Sequence, residues 1–419
     1  MLKKAKQNLE KWLDIKLLPL LLVSFIGTLG FSVILPFLVF LVQDFGGNAV
    51  MYGLIGALYP AFQMLGSPLL GAWSDRVGRK KVLLLSQAGT FLSWVIFLLA
   101  FALPLVSVFE VEVPALGYLV LTLPLLVLMV ARAFDGLTGG NISVAYAYLA
   151  DITTPEERKK GYGKLAAATN LGFIIGPALA GVLGALPNGK FIIVLTAASI
   201  SLLATLVIYF FLPDVPAQLE ETSPKEAPNV RVWQVPRFPF FVVLYFLIYL
   251  AYNLFYATFP VHASDNLQWD STELGTFFTS LSAVMIITQA VLLPKLSDQY
   301  GLSDKLLFVG GSFLLVLMFG LLAVPSDSLV YLSAVLFGLG NGVMWPSFLS
   351  RLSELGTPRQ QGSIQGTAGG AGSLASIIGL IAGGLIFSLG GTVVFIYSAV
   401  GFAVIGVLGL WFRSGEGRG

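Results

Sequence analysis

Arg132 and Asp135 stand three residues apart inside an otherwise apolar stretch, and they are the formal charges lying well within a membrane-length segment of this 419-residue chain. On a helix, residues three apart occupy neighbouring faces and can pair. An isolated charge at the bilayer midplane costs at least ~2.5–3.5 kcal/mol, so pairing relieves a real penalty. Two arrangements fit. One is a purely structural, self-neutralising pair; the other is an Asp135 that carries a proton for which Arg132 and an arriving substrate compete. From these two residues alone both stay open.

A second charged cluster lies at Gly71-Ala-Trp-Ser-Asp75-Arg76-Val-Gly78-Arg79-Lys80-Lys81, between the apolar runs Met51–Leu70 and Val82–Leu105. Each run is long enough to cross a bilayer, so the cluster must be a tight turn joining two antiparallel spans. An anchor on lipid phosphates would explain the cations. It leaves Asp75 without a reason among them. The second half repeats the pattern more weakly: Pro68–Gly78 lines up with Val291–Gly301, bringing Ser297-Asp298 onto Ser74-Asp75. A fainter likeness joins Arg158–Gly181 to Arg359–Gly384. Uncharged polar side chains inside apolar stretches supply candidate cavity residues: Gln63, Asn141, Asn170, Tyr252, Asn253, Gln289, Asn341 and Trp345. Each can serve equally as an interhelical hydrogen bond. His262, the single histidine, is given no role.

These residues need a membrane to position them. The chain is 56% hydrophobic and 11% charged, where a soluble domain carries roughly a quarter charged residues. A net charge of +2 excludes a nucleic-acid partner as an expectation, and the absence of cysteine excludes thiol chemistry. Breakers and lengths predict about twelve spans, near 17–43, 50–72, 81–104, 115–139, 162–186, 190–212, 238–262, 272–296, 305–324, 328–350, 362–389 and 391–412. The fourth could continue to Ala150. Residues 1–16 read as an interfacial, uncleaved N-terminus, 213–237 as a Pro-rich cytoplasmic linker between six-helix bundles at 17–212 and 238–412, and 413–419 as a tail. With the N-terminus cytoplasmic, 22 of the 24 Lys and Arg fall on the inside, whereas Asp44, Glu110, Glu112, Asp265, Asp270, Glu273 and Asp327 fall outside. That asymmetry places both termini in the cytoplasm. Two parallel six-span repeats suggest a transporter whose site lies at the midplane between them.

The 71–81 turn resembles the loop motif of the major facilitator superfamily, between its second and third spans. Arg132 followed by Gly136, Gly139 and Gly140 resembles that family's arginine motif. Gly163, Gly172, Gly176, Pro177 and Gly181 in the fifth span resemble the helix of its proton-coupled antiporters, with Ala180 as the departure. Tyr148–Arg158 is similar to the tetracycline-efflux branch of the drug:proton antiporters.

The resemblance implies an all-α membrane protein with twelve helices in two pseudo-symmetric six-helix bundles. It further implies that Gly71, Asp75, Arg76, Gly78, Arg79 and Asp151, with Asp298 in the second half, form a gate. Asp75 would cap the eleventh helix near Gly362 and Ser363 and favour the outward-open state, while Arg79 pairs with Asp151. Gln63 matches a glutamine of the tetracycline-efflux branch. That branch places an acid in the first span; this chain has none between Leu17 and Gln43, and instead carries Asp135.

The expected function is export of a lipophilic or amphiphilic small molecule from a cell's inner or plasma membrane in exchange for protons. The proton is the coupling ion, no further cofactor is involved, and the chain acts in the lipid bilayer as a monomer. A proton symporter or lipid-type flippase on the same fold, or a non-transporting membrane sensor, are the alternatives. No Gly-x-x-x-x-Gly-Lys-Ser/Thr loop, His-Glu-x-x-His helix or Gly-x-Ser-x-Gly turn occurs, so neither ATP-driven transport nor hydrolysis has a sequence basis.

Overall fold

Apolar stretches of this length can satisfy their backbone within lipid only as helices or closed barrels, and here they are helices. The computed structural model describes residues 17–34, 36–114, 117–153, 155–214, 232–324, 326–356 and 360–412. The expected interfacial segment 1–16, most of the linker and the tail 413–419 lie outside the described residues.

The first half comprises α1 (Leu18–Ile34), α2 (Leu38–Asp44), α3 (Ala49–Val77), α4 (Arg79–Leu99), a hairpin of β1 (Ser107–Val113) and β2 (Gly117–Thr122), α5 (Leu123–Thr138), α6 (Ile142–Ile152), α7 (Pro155–Gly184) and α8 (Gly189–Phe211). The second half comprises α9 (Phe238–Asp265), α10 (Ser271–Ile287), α11 (Asp304–Leu322), α12 (Asp327–Ser353), α13 (Gln361–Gly390) and α14 (Val393–Gly409). Beyond Ile287, α10 continues through two π-turns to Gln299. Ten helical segments are long and apolar enough to cross a bilayer; α1 and α2, bent by 45°, make a further one, and the 17-residue α14 occupies the twelfth predicted segment. Pro36 stands at the α1–α2 bend, where a proline breaks the hydrogen-bond ladder.

Local chemistry sets the ends. The Asn48 side chain accepts from the Val50 and Met51 amides at the start of α3. Asp270 and Glu273 form a capping box on α10. Gly78, at φ +99°, makes the reversal between α3 and α4, a backbone conformation that a side chain would strain.

The structure corrects the fourth predicted span. Residues 117–122 are a strand paired antiparallel with β1, and the helix starts at Leu123. Gly-Tyr-Leu-Val-Leu-Thr is an apolar run too short to distinguish strand from helix by periodicity. The same span is also interrupted at Gly139–Asn141 before continuing as α6 to Ile152.

Within the first bundle α1 packs on α7 and α8, and α4 on α5 and α8; within the second, α9 packs on α13 and α14, and α12 on α11. The bundles meet along α3 with α13 and α7 with α10. A Cβ placed on Gly181 would meet the Gly275 backbone at 2.8 Å, so these two helices touch backbone to backbone. Gly53 likewise lies against the Leu380 backbone, and Gly384 against Ala49. Tyr52 donates to the Tyr256 carbonyl at 2.9 Å, and the Gln43 amide links to Asp265 and Ser264, both at 2.8 Å. All these inter-bundle contacts lie toward the end bearing the acidic loops. Toward the end bearing the 71–81 turn, Gly163, Gly366, Gly369 and Gly370 face open space, and Ser363 is exposed. The molecule is shut at its acidic end and open at its basic end.

Candidate functional site

The helix from Leu123 carries Arg132 and Asp135 into the interior of the first bundle, as their spacing predicts. Arg132 Nη1 lies 3.5 Å from Asp135 Oδ2, with the residues 2% and 4% exposed, so neither charge faces acyl chains. The surroundings come from two other helices. The Tyr59 ring of α3 lies under the Arg132 guanidinium at 4.9 Å, a cation–π contact, and Thr90 of α4 lies near Asp135. Gln63 Nε2 donates to the Tyr59 hydroxyl at 3.1 Å and approaches the Gly139 carbonyl at 3.5 Å. Gln63 thus joins the charge pair through Tyr59. Gly136 lets this happen, because the Tyr59 carbonyl and Phe62 side chain fill the space a Cβ would need. An acid beside a cation and near a hydroxyl has alternative partners, the basic requirement for taking up and releasing a proton.

Sequence reasoning missed Tyr59 and Thr90. Tyr52, Tyr59 and Gln63 recur at spacings of seven and four on α3, a helical face that could have been read. Gln87, buried on α4 one turn before Thr90, had no comparable signal.

The second bundle faces this site with aromatic rings. Tyr245 and Tyr249 stack at 4.8 Å, and Trp345 meets both edge-on at 5.4 and 5.6 Å. Tyr252 donates to Asn341 Oδ1 at 2.7 Å, and Asn341 Nδ2 reaches the Met285 sulfur at 3.4 Å. Asn253 Nδ2 bonds the Tyr249 carbonyl at 2.8 Å and Ser376 Oγ at 2.9 Å. Tyr252, Asn253 and Asn341 are therefore fastened between helices, as their bland reading allows. Trp345 is partly exposed. Asn141 sits at the α5–α6 interruption, Asn170 is exposed on α7, and Gln289 lies in the first π-turn of α10. These three are not gathered with the charge pair.

The residues expected to form a gate divide. Arg79 Nε bonds Asp151 Oδ2 at 3.0 Å, the expected pairing, and Arg79 Nη1 donates to Ser74 Oγ at 2.7 Å and to Asp75. Ser74 Oγ in turn donates to the Gly71 carbonyl at 2.7 Å. Arg76 is exposed. Among the described residues Asp75 has Arg79 as its partner and is 58% exposed at its side chain; it does not cap α13. The physical reason is the open basic end, which separates the turn from that helix. Asp298 accepts from its neighbour Ser297 at 2.7 Å and remains exposed, so the second half does not reproduce the Arg79 linkage at that position. It does so elsewhere: Arg351, at the end of α12, lies 3.5 Å from Asp304 at the start of α11 and 3.0 Å from Glu354.

On the antiporter-like helix, Ser32 Oγ of α1 donates to the Gly172 carbonyl at 2.8 Å and also fills the space beside Gly176. Gly181 faces α10, as described, and Pro177 lies within the helix. The helix is packed on both sides through its glycines.

Two packed bundles of membrane-length helices with a charge pair buried inside one of them have the form of a membrane transporter. The Major Facilitator Superfamily model matches residues 20–244 and 241–418, so the chain belongs to that superfamily. It is 28% identical over 377 residues to the class D tetracycline resistance protein of Salmonella ordonez, covering 88% of each. It is 27% identical over 421 residues to multidrug resistance protein 2 of Bacillus subtilis (strain 168), covering 97% of this chain and 96% of that one. The solved D-xylose-proton symporter shares the fold with a TM-score of 0.74 at 15% identity, over 95% of this chain and 98% of that one.

Proposed function

We propose that this protein is a proton-coupled exporter of lipophilic or amphiphilic small molecules, working by alternating access as a monomer in the inner or plasma membrane. Support comes from similarity to tetracycline and multidrug resistance proteins over 88% and 97% of the chain, together with the buried Arg132–Asp135 pair, the single observation that gives the reading a coupling group. The basic end lies in the cytoplasm in this reading, with both termini there, because the cations gather on that side. The structure's open end is then the inward-facing mouth.

In that state substrate enters from the cytoplasm and reaches the space between the Tyr59–Gln63–Arg132 side and the Trp345 wall. Its arrival favours Asp135 in its ion pair with Arg132, and the proton leaves inward. The basic end then closes, Asp75 turning from Arg79 to the N-terminus of α13, where negative charge is stabilising. Parting of Gly181 from Gly275 and of Gln43 from Asp265 opens the acidic end. There a proton from outside neutralises Asp135, and substrate departs. Tyr252, Asn253 and Asn341 hold the second bundle's wall in register, while Gln289, Asn141 and Asn170 stand further along the path.

Proteoliposomes with an imposed pH gradient test this, with tetracycline and a lipophilic cationic dye as probes. Wild-type protein should move at least one probe against its gradient, outward when the cytoplasmic face is more alkaline. Movement in the same direction as the proton would establish the symport reading instead, and full gradient-driven transport by Asp135→Asn would refute the coupling role.

A further inference from the structure

A groove of about 390 Å³ lies between α10 and α12, lined by Val284, Ile287, Thr288, Val291, Lys295 and Leu339. It opens away from the transport path. Asn341 points to Met285 and Tyr252 in the interior, and Leu339 is two residues from it, about 200° around the helix. On the α10 side, Ile287 and Val291 are 61% and 48% exposed, so this is a lipid-facing surface.

Its shape comes from a departure in α10. Two π-turns, Thr288–Leu292 and Lys295–Gln299, flank Pro294, and the Leu293 amide bonds the Thr288 carbonyl five residues back. Proline cannot donate to the ladder, and the wider turns beside it interrupt the regular helical surface that α10 presents next to α12. From Val284 to Lys295 the groove runs eleven residues, about 16 Å at helical rise, close to half of a ~30 Å hydrocarbon core. Its walls are apolar apart from the Thr288 hydroxyl, which is spent on the Val284 carbonyl at 2.8 Å. The lone cation, Lys295, lies at the end nearest the membrane surface and is exposed, with no ion pair among the described residues. An apolar channel one leaflet deep, ending in a free ammonium, has the chemistry of an acyl chain terminated by an anion.

We propose that this groove is a binding site for one anionic phospholipid of the basic-end leaflet, with an acyl chain along Val284–Val291 and the headgroup phosphate on Lys295. The site is separate from the transport cavity and does not depend on the export reading. Because α10 also carries Gly275 against α7, a lipid seated there bears on a helix at the contact between the two bundles.

The test uses delipidated full-length protein titrated with phosphatidylglycerol or phosphatidylcholine of matched chains, bound lipid being counted by native mass spectrometry. Wild type should hold one phosphatidylglycerol about fivefold more tightly than phosphatidylcholine, corresponding to the ~1 kcal/mol that one lysine contributes at an anionic surface. Lys295→Gln should erase that preference and Lys295→Arg keep it. Lys305→Gln, at the same end on α11 but outside the groove, should leave it intact. Val291→Trp should displace the tightest-bound lipid of either kind. An unchanged preference in Lys295→Gln, its equal loss in Lys305→Gln, or unchanged binding in Val291→Trp would each overturn the proposal. Thermal unfolding of each variant without lipid shows whether it is folded.

Discussion

The two bundles share a plan and differ in what they bury. The first hides a cation and an acid, Arg132 and Asp135, beneath a tyrosine ring; the second hides tyrosines around Trp345. At the basic end the contrast becomes an inversion. In the first half the cation starts the third span (Arg79) and the acid ends the fourth (Asp151). In the second, the acid starts the corresponding helix (Asp304) and the cation ends its neighbour (Arg351). The tie between the two helices is kept and its polarity reversed. Among the described residues only the first half draws in a third element, through Asp75 on α3, whereas Asp298 stands apart. A tie that reaches α3, the helix that meets α13 of the other bundle, links three helices, as the proposed gate requires. One confined to two packed helices fastens them together.

The largest effect should come from removing the acid that the second bundle lacks. Asp135→Asn should lower gradient-driven transport on the order of 10²-fold or more, as loss of a positioned proton-transfer group does, with probe binding retained; transport in proteoliposomes checks both. Asp135→Leu should in addition destabilise the fold by roughly 3–5 kcal/mol, because Arg132 is left buried without its counter-charge. Arg132→Leu with Asp135→Leu should recover most of that stability and none of the transport. Denaturation in detergent distinguishes these outcomes, and a double variant as unstable as the single one would deny that the pair is self-neutralising.

Much of this contrast was legible in the sequence. The i,i+3 spacing of Arg132 and Asp135 in an apolar run specified a pair, and the structure has it. Arg79 with Asp151 followed from the family motif. What sequence hid depends on three-dimensional register. Arg351 does not align with any cation of the first half, because the repeat keeps a location and exchanges the signs. The 117–122 strand was invisible because six apolar residues suit either element. Asp75 meets Arg79 rather than the expected α13 terminus, because the open basic end holds the two apart, a spacing that no residue pattern encodes.

Smaller effects sharpen the comparison of the ties. Arg79→Asp should impair transport, and Arg79→Asp with Asp151→Arg, which copies the second half's polarity, should restore helix pairing but not gating, because Asp75 then faces an acid. Thermal stability rising by up to ~1 kcal/mol without recovered transport is the expected signature. Arg351→Ala should cost stability of similar size and leave transport largely intact; a transport loss as deep as that of Arg79→Asp would make the second tie a gate as well. The smallest change is Tyr252→Phe, which removes one hydrogen bond to Asn341 and should cost about 1 kcal/mol of stability, measured by the same unfolding experiment.

The coupling role of Asp135 is tested most directly by proton release. Purified protein in weakly buffered detergent, mixed with a probe that it transports, should liberate a proton on binding, and Asp135→Asn should bind the probe without doing so. Equal proton release from both proteins would contradict the assignment of the coupled proton to that carboxylate.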